Sequence, residues 1–264
     1  MSHYKALFLD IDGTIIRPDD TIEHSTKQAI LEVLDRGMEV ILTTGRPIHE
    51  IRELAAELQV QSFIGYNGAA AIIQGKRCFE KPLPPTHVEQ VLTIAGAHQH
   101  ELALHTGTAN YLTSLDSPAA RRFVTKFAYR KNEPLAQRRG STDDVLAMTF
   151  INMKPDDVHF YESVPSLILS QANVDGMQQC FDVLRDNVNK GTGVSLVLEH
   201  MGIVKEEAIA FGDGLNDKEM LQSVGESFAM GNAHPDLFAI AKNKTTDVME
   251  SGIYHGLRTL GLVE

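Results

Sequence analysis

Residues 6–14 read ALFLDIDGT, an apolar run that ends in two acidic residues and a glycine. The apolar run predicts a buried strand, and side chains alternate along a strand with a period of two. Asp10 and Asp12 should therefore project to the same side, just beyond the carboxyl end of the strand. Open α/β sheets bind their ligands at that position. The pair is placed for chemistry, although most Asp-Gly dipeptides are solvated turns.

The two carboxylates also constrain each other's ionisation. Acids this close repel each other unless a cation or a shared proton intervenes, so their pKa values should be driven apart. Asp10 and Asp12 could then serve as one ionised nucleophile and one proton donor. An EF-hand is excluded, because Ile15 stands where the calcium loop needs glycine and Thr21 where it needs its closing glutamate.

Composition limits the classes of function. The chain has 264 residues, 43% hydrophobic and 22% charged, which is typical of a soluble enzyme. The net charge of −11 disfavours nucleic acid and anionic membranes as main partners, since lysine and arginine bind phosphate backbones. With no membrane-length apolar run and no secretory signal, we expect a cytoplasmic protein. Cys78 and Cys180 lack a paired spacing, which argues against zinc and suits a reducing compartment.

The apolar pattern predicts a doubly wound α/β core. Strands at residues 38–43 and 63–66 should alternate with helices, and Ser25 is the expected cap of the first helix. This β-α-β-α-β order predicts a mostly parallel, Rossmann-like sheet with helices on its faces. The same rhythm resumes late in the chain, with a helix at residues 192–201 and a strand at residues 208–211.

A second domain should be inserted into this core. The proline-dense residues 81–85 suit neither a helix nor a central strand and are interpreted as a linker. Helix-like and strand-like segments then mix until about residue 187, which predicts a separate α+β unit. We expect a catalytic core of residues 1–81 and 188–264, with residues 82–187 as the inserted domain.

Further polar residues should reach the same sheet edge as the acidic pair, because their loops follow parallel strands or start core helices. Thr44 offers a hydroxyl at a helix start, where free N–H groups and the helix dipole favour an anion. Lys190 begins the helix with which the chain re-enters the core. Asp213 and Asp217 lie in a loop after an apolar strand. Each alone has an ordinary explanation: a helix cap, a surface lysine or a turn.

Together these residues predict a magnesium-assisted phosphate site. Asp10, Asp213 and a backbone carbonyl are hard oxygen ligands, and waters could complete the octahedron that Mg²⁺ requires. The cation would let a dianionic phosphate approach an acidic site and keep Asp10 ionised as nucleophile. Lys190 and the hydroxyl of Thr44 would bind the remaining phosphate oxygens.

With these residues in place, the chain resembles the haloacid dehalogenase superfamily, specifically the Cof-type phosphatases with a large α/β cap. Four motifs stand in family order and two supporting signatures accompany them. They are Asp10-Ile11-Asp12-Gly13-Thr14, Thr44-Gly45-Arg46, Lys190 and Gly212-Asp213-Gly214-Leu215-Asn216-Asp217, supported by Asn67-Gly68-Ala69 and Met230-Gly231-Asn232-Ala233. The combination is specific, whereas any one motif would be weak.

The resemblance implies roles for the acidic residues. Asp10 would attack phosphorus to give an aspartyl-phosphate. Asp12 would protonate the leaving alcohol and then deprotonate water. The implied Mg²⁺ ligands are the carboxylates of Asp10 and Asp213 and the main-chain oxygen of Asp12.

The resemblance also implies the phosphate contacts. Backbone N–H groups would come from Ile11 and Gly45, and side chains from Thr44, Lys190 and Asn216. Asp217 would orient Lys190 or the metal shell. Arg46 and Asn67 are expected to support the site.

The implied function is Mg²⁺-dependent hydrolysis of small phosphomonoesters, such as sugar phosphates, nucleotides or pyridoxal phosphate. A phosphomutase of the phosphomannomutase type would share the aspartyl-phosphate but return the phosphoryl group to sugar. A non-catalytic phosphometabolite sensor is the third hypothesis. We expect a monomer or homodimer whose partner is a small phosphorylated metabolite.

In the family, the cap selects the leaving group. His98, His100 and His105 could hydrogen-bond the substrate, although scattered histidines more often pack or face solvent. In the basic segment, residues 121–139, seven cationic residues face only one acidic residue, Glu133. Two hypotheses remain for this segment: a solvated helix face or subunit contact, and recognition of an additional anionic group of the substrate.

Overall fold

A computed structural model of the protein describes residues 3–171 and 176–264. The chain divides into two compact units. Unit 1 comprises Met1–Gly45, Arg52–Phe79 and Asn189–Glu264, and unit 2 comprises Arg46–Ile51 and Glu80–Val188. The sequence-based division kept residues 46–51 with the core, whereas here they group with unit 2.

The described residues contain fourteen strands and seven α-helices. The strands are β1 Ala6–Leu9, β2 Glu39–Thr43, β3 Ser62–Gly65, β4 Ala70–Ile73, β5 Lys76–Glu80, β6 Leu102–Thr106, β7 Asn110–Leu112, β8 Asn132–Pro134, β9 Val145–Phe150, β10 Leu167–Gln171, β11 Phe181–Arg185, β12 Ala208–Gly212, β13 Glu226–Ala229 and β14 Asn243–Lys244. The helices are α1 His24–Asp35, α2 Arg52–Glu57, α3 Pro85–His98, α4 Pro118–Lys126, α5 Lys190–Met201, α6 Lys218–Gln222 and α7 Gly252–Thr259. Within the described ranges, no helix has both the length and the apolar character needed to cross a membrane.

Unit 1 is built on an eight-stranded sheet in the order β14-β13-β12-β1-β2-β3-β4-β5. The first six strands of that order are parallel, and β4 runs antiparallel to β3. β1 and β12 are buried along their whole length, as expected for parallel strands covered on both faces. Around this sheet α1 packs against α7, and α5 packs against α6. The predicted parallel-rich α/β core is confirmed.

The predicted cap of α1 was wrong. The helix begins at His24, and Glu23 occupies the N-cap position without a side-chain cap hydrogen bond. Ser25 lies inside the helix, where its hydroxyl donates to the hydroxyl of Ser251 at 2.7 Å. Because that partner lies 226 residues further along the chain, the local pattern around Ser25 carried no sign of it.

The hairpin of β4 and β5 was not predicted either. Its connection is Gln74-Gly75, and both residues have positive φ, at 49° and 75°. Two consecutive positive φ values give the turn that matches the twist of paired antiparallel strands. Gly75 after a short apolar run was therefore the available signal.

Unit 2 contains a six-stranded sheet in the order β10-β11-β9-β6-β7-β8. Its neighbours pair antiparallel, except that β7 and β8 are parallel. Alternation along β6 sends Leu102 and Leu104 into one apolar cluster and Ala103 into another. α3 contributes to the first cluster and α4 to the second, so each face of the sheet is covered by a helix.

A buried carboxylate anchors residues 46–51 in unit 2. The side chain of Glu50 is only 3% exposed, and its oxygens accept hydrogen bonds from three residues. Asn110 Nδ2 donates to Glu50 Oε1 at 2.7 Å, and the backbone N–H groups of Arg130 and Lys131 donate to the same carboxylate at 3.0 to 3.2 Å. One side chain therefore holds both β7 and the turn that precedes β8.

Glu50→Ala should lower the free energy of unfolding by about 1–3 kcal/mol, because it leaves buried donors without an acceptor. Denaturant unfolding followed by circular dichroism measures the change. Glu57→Ala is the matched control, since its carboxylate pairs with Lys27 at 3.0 Å on the exposed surface and should cost about 0–1 kcal/mol. Equal losses in the two variants would contradict the anchoring role of Glu50.

Candidate active site

Three adjacent strands of unit 1 bring the expected site residues to one sheet edge. β12, β1 and β2 are neighbouring and parallel, so their carboxyl ends lie together. Asp10 follows β1, Thr44 follows β2 and Asp213 follows β12. Lys190 is the first residue of α5. These segments, far apart in sequence, therefore meet in unit 1.

The centre of the site is a buried ammonium between two carboxylates. Lys190 Nζ donates to Asp10 Oδ1 at 2.5 Å and to Asp217 Oδ1 at 2.6 Å. The lysine side chain has no exposed surface. Its position is set by the start of α5, where Asn189 accepts the backbone N–H of Thr192 at 2.9 Å. A buried charge is stable only when it is paired, so the carboxylates of Asp10 and Asp217 allow the Lys190 ammonium to be buried.

The surroundings keep Lys190 protonated. Burial alone lowers its pKa, but the carboxylates of Asp10 and Asp217 raise the pKa above the ordinary value of lysine. Asp217 is itself held in place, because its Oδ2 accepts the backbone N–H groups of Asp213 and Gly214 at 3.0 and 2.9 Å. Asp217 thus connects the lysine to the loop that carries Asp213.

A cluster of three carboxylates surrounds the ammonium. Oxygens of Asp10, Asp213 and Asp217 lie within 4.8 Å of one another. Burial, reinforced by the charge of Asp217, raises the pKa of Asp213 to about 7. Burial and then Asp217 also raise the pKa of Asp10 well above its ordinary value, against the opposing effect of Lys190. Ionising all three carboxylates beside the single charge of Lys190 is therefore unfavourable.

This donor set fits a hard divalent cation. Carboxylate oxygens are ligands that Mg²⁺ prefers, and a cation beside Asp10 and Asp213 would favour their ionised forms against the burial and repulsion that raise their pKa values. Both carboxylate oxygens of Asp217 accept hydrogen bonds from protein donors. Asp10 and Asp213 are therefore the better candidates for metal ligands.

Asp12 lies in the turn after β1 and is exposed. The next residue, Gly13, has a φ of 84°, a conformation that side chains rarely adopt. A Cβ on Gly13 would also lie 2.3 Å from Asp213 Oδ2, so only glycine fits there. The loop that carries Asp12 consequently passes directly against the carboxylate of Asp213.

The residues expected to bind phosphate are linked through Asn67. The carbonyl of Thr44 accepts the backbone N–H of Asn67 at 3.1 Å, and Asn67 Oδ1 accepts from Asn216 Nδ2 at 3.1 Å. Thr44 is buried, and Gly45 next to it is half-buried. Ile11, between the two acids of the first motif, is fully buried. Asn67 therefore ties the loop after β2 to the loop after β12. Arg46 is half-buried and belongs to unit 2.

The three histidines considered as substrate contacts take part in packing within unit 2. His105 is buried between Asn110 Oδ1 at 2.8 Å and Thr149 Oγ1 at 3.2 Å, and burial lowers its pKa to about 4. His100 Nδ1 lies 2.7 Å from the hydroxyl of Tyr161, and burial lowers its pKa as well. The ring of His98 stacks on the ring of Phe160, with 3.7 Å between the ring centroids. These contacts favour the packing hypothesis.

The basic segment has more opposing charge than a count within it suggested. Arg138 pairs with Asp144 and donates to the carbonyl of Ser141 at 2.7 Å. Arg121 lies 3.5 Å from Asp116. Both acidic partners stand just outside residues 121–139, so the expectation that Glu133 was the only opposing charge was wrong for these two arginines.

Two polar residues contact the site although no individual role was predicted for them from the sequence. Thr14 Oγ1 donates to Asp213 Oδ1 at 2.8 Å, across 199 residues of sequence. Asn232 Nδ2 donates to the carbonyl of Gly13 at 2.8 Å, across 219 residues. Their places inside the first motif and a supporting signature were the only sequence signal, and neither residue type identifies so distant a partner.

Comparison with known proteins identifies the family of the chain. The chain matches the family model for haloacid dehalogenase-like hydrolases over residues 7–257. The protein YkrA of Bacillus subtilis (strain 168), named as a candidate phosphatase, is 29% identical over 262 residues, covering 98% of this chain and 99% of YkrA. HMP-PP phosphatase of Cronobacter sakazakii (strain ATCC BAA-894) is 28% identical over 236 residues, covering 87% of this chain and 85% of that protein.

The fold of almost the whole chain is found in a solved structure. The crystal structure of a hypothetical protein from Geobacillus kaustophilus HTA426 matches with a TM-score of 0.88 at 26% identity, covering 98% of this chain and 100% of that one. The family match, the fold match and the phosphatase relatives confirm the resemblance inferred from the motifs. The chain belongs to the haloacid dehalogenase-like hydrolases, within the Cof-type phosphatases.

Proposed function

We propose that this protein is a Mg²⁺-dependent phosphatase that hydrolyses small phosphomonoesters through an aspartyl-phosphate on Asp10. The observation that carries the proposal is the buried contact of Lys190 with Asp10 and Asp217. Acidic side chains alone would repel a phosphate dianion, whereas an ammonium and a divalent cation at the same point attract it. Membership of a hydrolase family supports the same chemistry.

Asp10 acts as the nucleophile. Lys190 Nζ contacts one of its oxygens at 2.5 Å, which orients the carboxylate and favours its ionised form. In the first step a bond forms between a carboxylate oxygen of Asp10 and phosphorus, and the bond from phosphorus to the leaving oxygen breaks. In the second step water attacks the phosphorus of the aspartyl-phosphate, which releases inorganic phosphate and restores Asp10.

Asp12 acts as acid and then as base. It gives its proton to the leaving alcohol in the first step and takes a proton from the attacking water in the second. After one turnover both carboxyl groups have returned to their starting state. The exposed position of Asp12 suits this role, because it must meet first the leaving group and then water.

The transferred phosphoryl group is held by donors from the neighbouring loops. In this proposal they are the backbone N–H groups of Ile11 and Gly45 and the side chains of Thr44, Lys190 and Asn216. Asp217 positions Lys190, and Asn67 positions Asn216 through their 3.1 Å hydrogen bond. Arg46 supports the loop that begins with Thr44.

Mg²⁺ would be held by the carboxylates of Asp10 and Asp213 and by the main-chain oxygen of Asp12. When bound, the cation supplies Lewis-acid stabilisation of the phosphoryl oxygens. The close approach of the three carboxylates of Asp10, Asp213 and Asp217 supports this assignment, because a cation offsets their mutual repulsion.

Mg²⁺ should raise the melting temperature more at about pH 8 than at about pH 5.5. A carboxyl whose pKa is raised on folding contributes stability below its unfolded pKa and loses that contribution as the pH rises through the folded pKa, about 7 for Asp213. The metal-free protein should therefore lose stability between these two pH values, and Mg²⁺ should restore it. Thermal scans with Mg²⁺ or with chelator measure the effect.

Asp213→Asn is the control for this titration, because it removes one charge and one metal ligand together. The variant should show a smaller dependence of melting temperature on pH and on Mg²⁺. A Mg²⁺ effect in the unmodified protein that is equal at both pH values would contradict the proposed ligands.

The proposed substrates are small phosphorylated metabolites such as sugar phosphates, nucleotides and pyridoxal phosphate. HMP-PP is added because a relative that covers 87% of this chain is named as its phosphatase. We also propose that residues 82–187 form the domain that selects among these substrates, with residues 1–81 and 188–264 as the catalytic core, in a cytoplasmic monomer or homodimer.

A phosphorylated-metabolite panel should yield free inorganic phosphate with Mg²⁺ and without any bisphosphate activator. Asp10→Asn should reduce release to the assay background, because the amide cannot attack phosphorus. Asp12→Asn should release phosphate ~10²–10⁴-fold more slowly, which is the usual contribution of general acid–base assistance. Phosphate assays on purified variants with unchanged circular dichroism measure this.

Three outcomes of the panel would contradict the proposal. Wild-type rates in Asp10→Asn would exclude the nucleophile. A requirement for a bisphosphate, with transfer to sugar, would identify a phosphomutase instead. Ligand binding without metal-dependent turnover of even an aryl phosphate would identify a sensor.

Deleting residues 82–187 should reduce hydrolysis of the preferred metabolite far more than hydrolysis of a generic aryl phosphate. The reason is that contacts remote from phosphorus supply binding energy that lowers the barrier. The comparison requires a deletion variant that is folded by circular dichroism. A folded variant that keeps the full ranking of substrates would place selection in the core.

A further inference from the structure

We propose that Asn232 is a positioning residue for the acid loop, residues 10–14. It restrains the backbone of Gly13 and thereby directs Asp12 and Thr14 toward the reacting groups. This inference rests on the proposed function, because Asp12 is the proton donor and Gly13 lies between it and Thr14. It assigns a role to a residue that has no place in the mechanism above.

Both ends of the Asn232 amide have a defined partner. Its Nδ2 donates to the carbonyl of Gly13 at 2.8 Å, and its Oδ1 accepts the backbone N–H of Val248 at 3.0 Å. The Val248 N–H can pair only with the oxygen, and the Gly13 carbonyl only with the nitrogen. Only one orientation of the Asn232 amide therefore satisfies both partners. The side chain connects the backbone at Val248 to the acid loop.

Gly13 is the residue of the acid loop that most needs such a restraint. Its φ of 84° lies where glycine is permissive, so its own sterics do not define its torsions. The peptide plane before Gly13 is held because its N–H donates to the carbonyl of Ile16 at 2.9 Å. The plane after Gly13 is held at its carbonyl by Asn232. The two bonds together define the orientation of both planes.

These planes carry the groups that the reaction needs. The carbonyl of Asp12 belongs to the first plane and, in a trans peptide, points opposite to the Gly13 N–H. That carbonyl is the proposed metal ligand. The second plane leads into Thr14, which donates to Asp213 at 2.8 Å. Release of the Gly13 carbonyl would thus let both Asp12 and Thr14 shift.

The loop that carries Asn232 also holds the other acidic loop. The N–H of His234 donates to the carbonyl of Asp213 at 2.8 Å, and the N–H of Met230 donates to the carbonyl of Gly212 at 3.1 Å. Residues 230–234 therefore bond to the loop after β1 and to the loop after β12. Within this loop, Asn232 makes the bond to the acid loop, and His234 makes the bond to Asp213.

Asn232 is also well suited to substitution, because it is exposed. Exposed side chains usually contribute little to the free energy of unfolding. A large effect on catalysis from this residue would therefore point to positioning and away from general stability.

The test uses the full chain and two substitutions. Asn232→Ala removes both hydrogen bonds without adding charge, and Asn232→Asp keeps the acceptor for Val248 but loses the donor to Gly13. Asn243→Ala is the control: its Nδ2 donates to Glu226 at 2.8 Å from β14 and has no bond to the acid loop. Values of kcat/KM are measured for 4-nitrophenyl phosphate, whose leaving group needs little protonation, and for phenyl phosphate, whose leaving group needs more.

We expect kcat/KM of both Asn232 variants to fall about tenfold or more with phenyl phosphate, because misplacing Asp12 removes acid assistance. With 4-nitrophenyl phosphate, the decrease in kcat/KM should be several-fold smaller. The half-saturating Mg²⁺ concentration in thermal titrations, which does not depend on turnover, should rise about tenfold in Asn232→Ala. Asn243→Ala should leave both quantities unchanged. Variants that melt below the assay temperature are measured at a lower temperature by the same criteria.

Three results would overturn the proposal. The first is an equal decrease of kcat/KM with the two esters, and the second is an unchanged half-saturating Mg²⁺ concentration in Asn232→Ala. The third is an effect confined to Asn232→Asp, which would reflect the added charge. Wild-type enzyme and Asp12→Asn are measured first on the same esters. If they show no turnover or no preferential loss on phenyl phosphate, the proposed function fails, and the half-saturating Mg²⁺ concentration alone then decides the role of Asn232.

Discussion

A single buried ammonium links the loops that carry the candidate site of unit 1. The side chain of Lys190 has no exposed surface, so it is stable only where carboxylates accept its protons. Asp10 and Asp217 belong to loops that follow different strands, and they meet because β1 and β12 are neighbours in the sheet. The lysine in turn limits how far these loops can separate. The pairing of β1 with β12 and the ion pairs of Lys190 therefore act together to hold the two loops close.

Three carboxylates, those of Asp10, Asp213 and Asp217, lie around the single positive charge of Lys190. Asp213 and Asp10 have raised pKa values because burial and Asp217 oppose their ionisation. Ionising all of these carboxylates together is unfavourable without further positive charge. In the proposed function, Asp217 is thus committed to the lysine, while Asp10 and Asp213 remain for the metal.

The parts of the fold that local sequence determines were predicted well, and the parts that depend on distant contacts were not. Apolar runs followed by acidic loops predicted β1, β12 and the parallel sheet. Ser25 could not be read in the same way, because its partner is Ser251. The contacts of Thr14 and Asn232 with the site also join residues about 200 positions apart, so no local pattern contains them. Motif membership marked both residues, and only the three-dimensional arrangement showed what they touch.

The outer strands of the eight-stranded sheet limit how copies of this chain can associate. One edge is β14, which has only two residues, and the other is β5, whose five residues include Lys76, Arg77 and Glu80. Short or charged edges are poor templates for pairing with a further strand. Joining two sheets edge to edge into a continuous ribbon is therefore disfavoured, which lowers the risk of aggregation through this sheet. The edges of this sheet are therefore poor candidates for the interface of a homodimer.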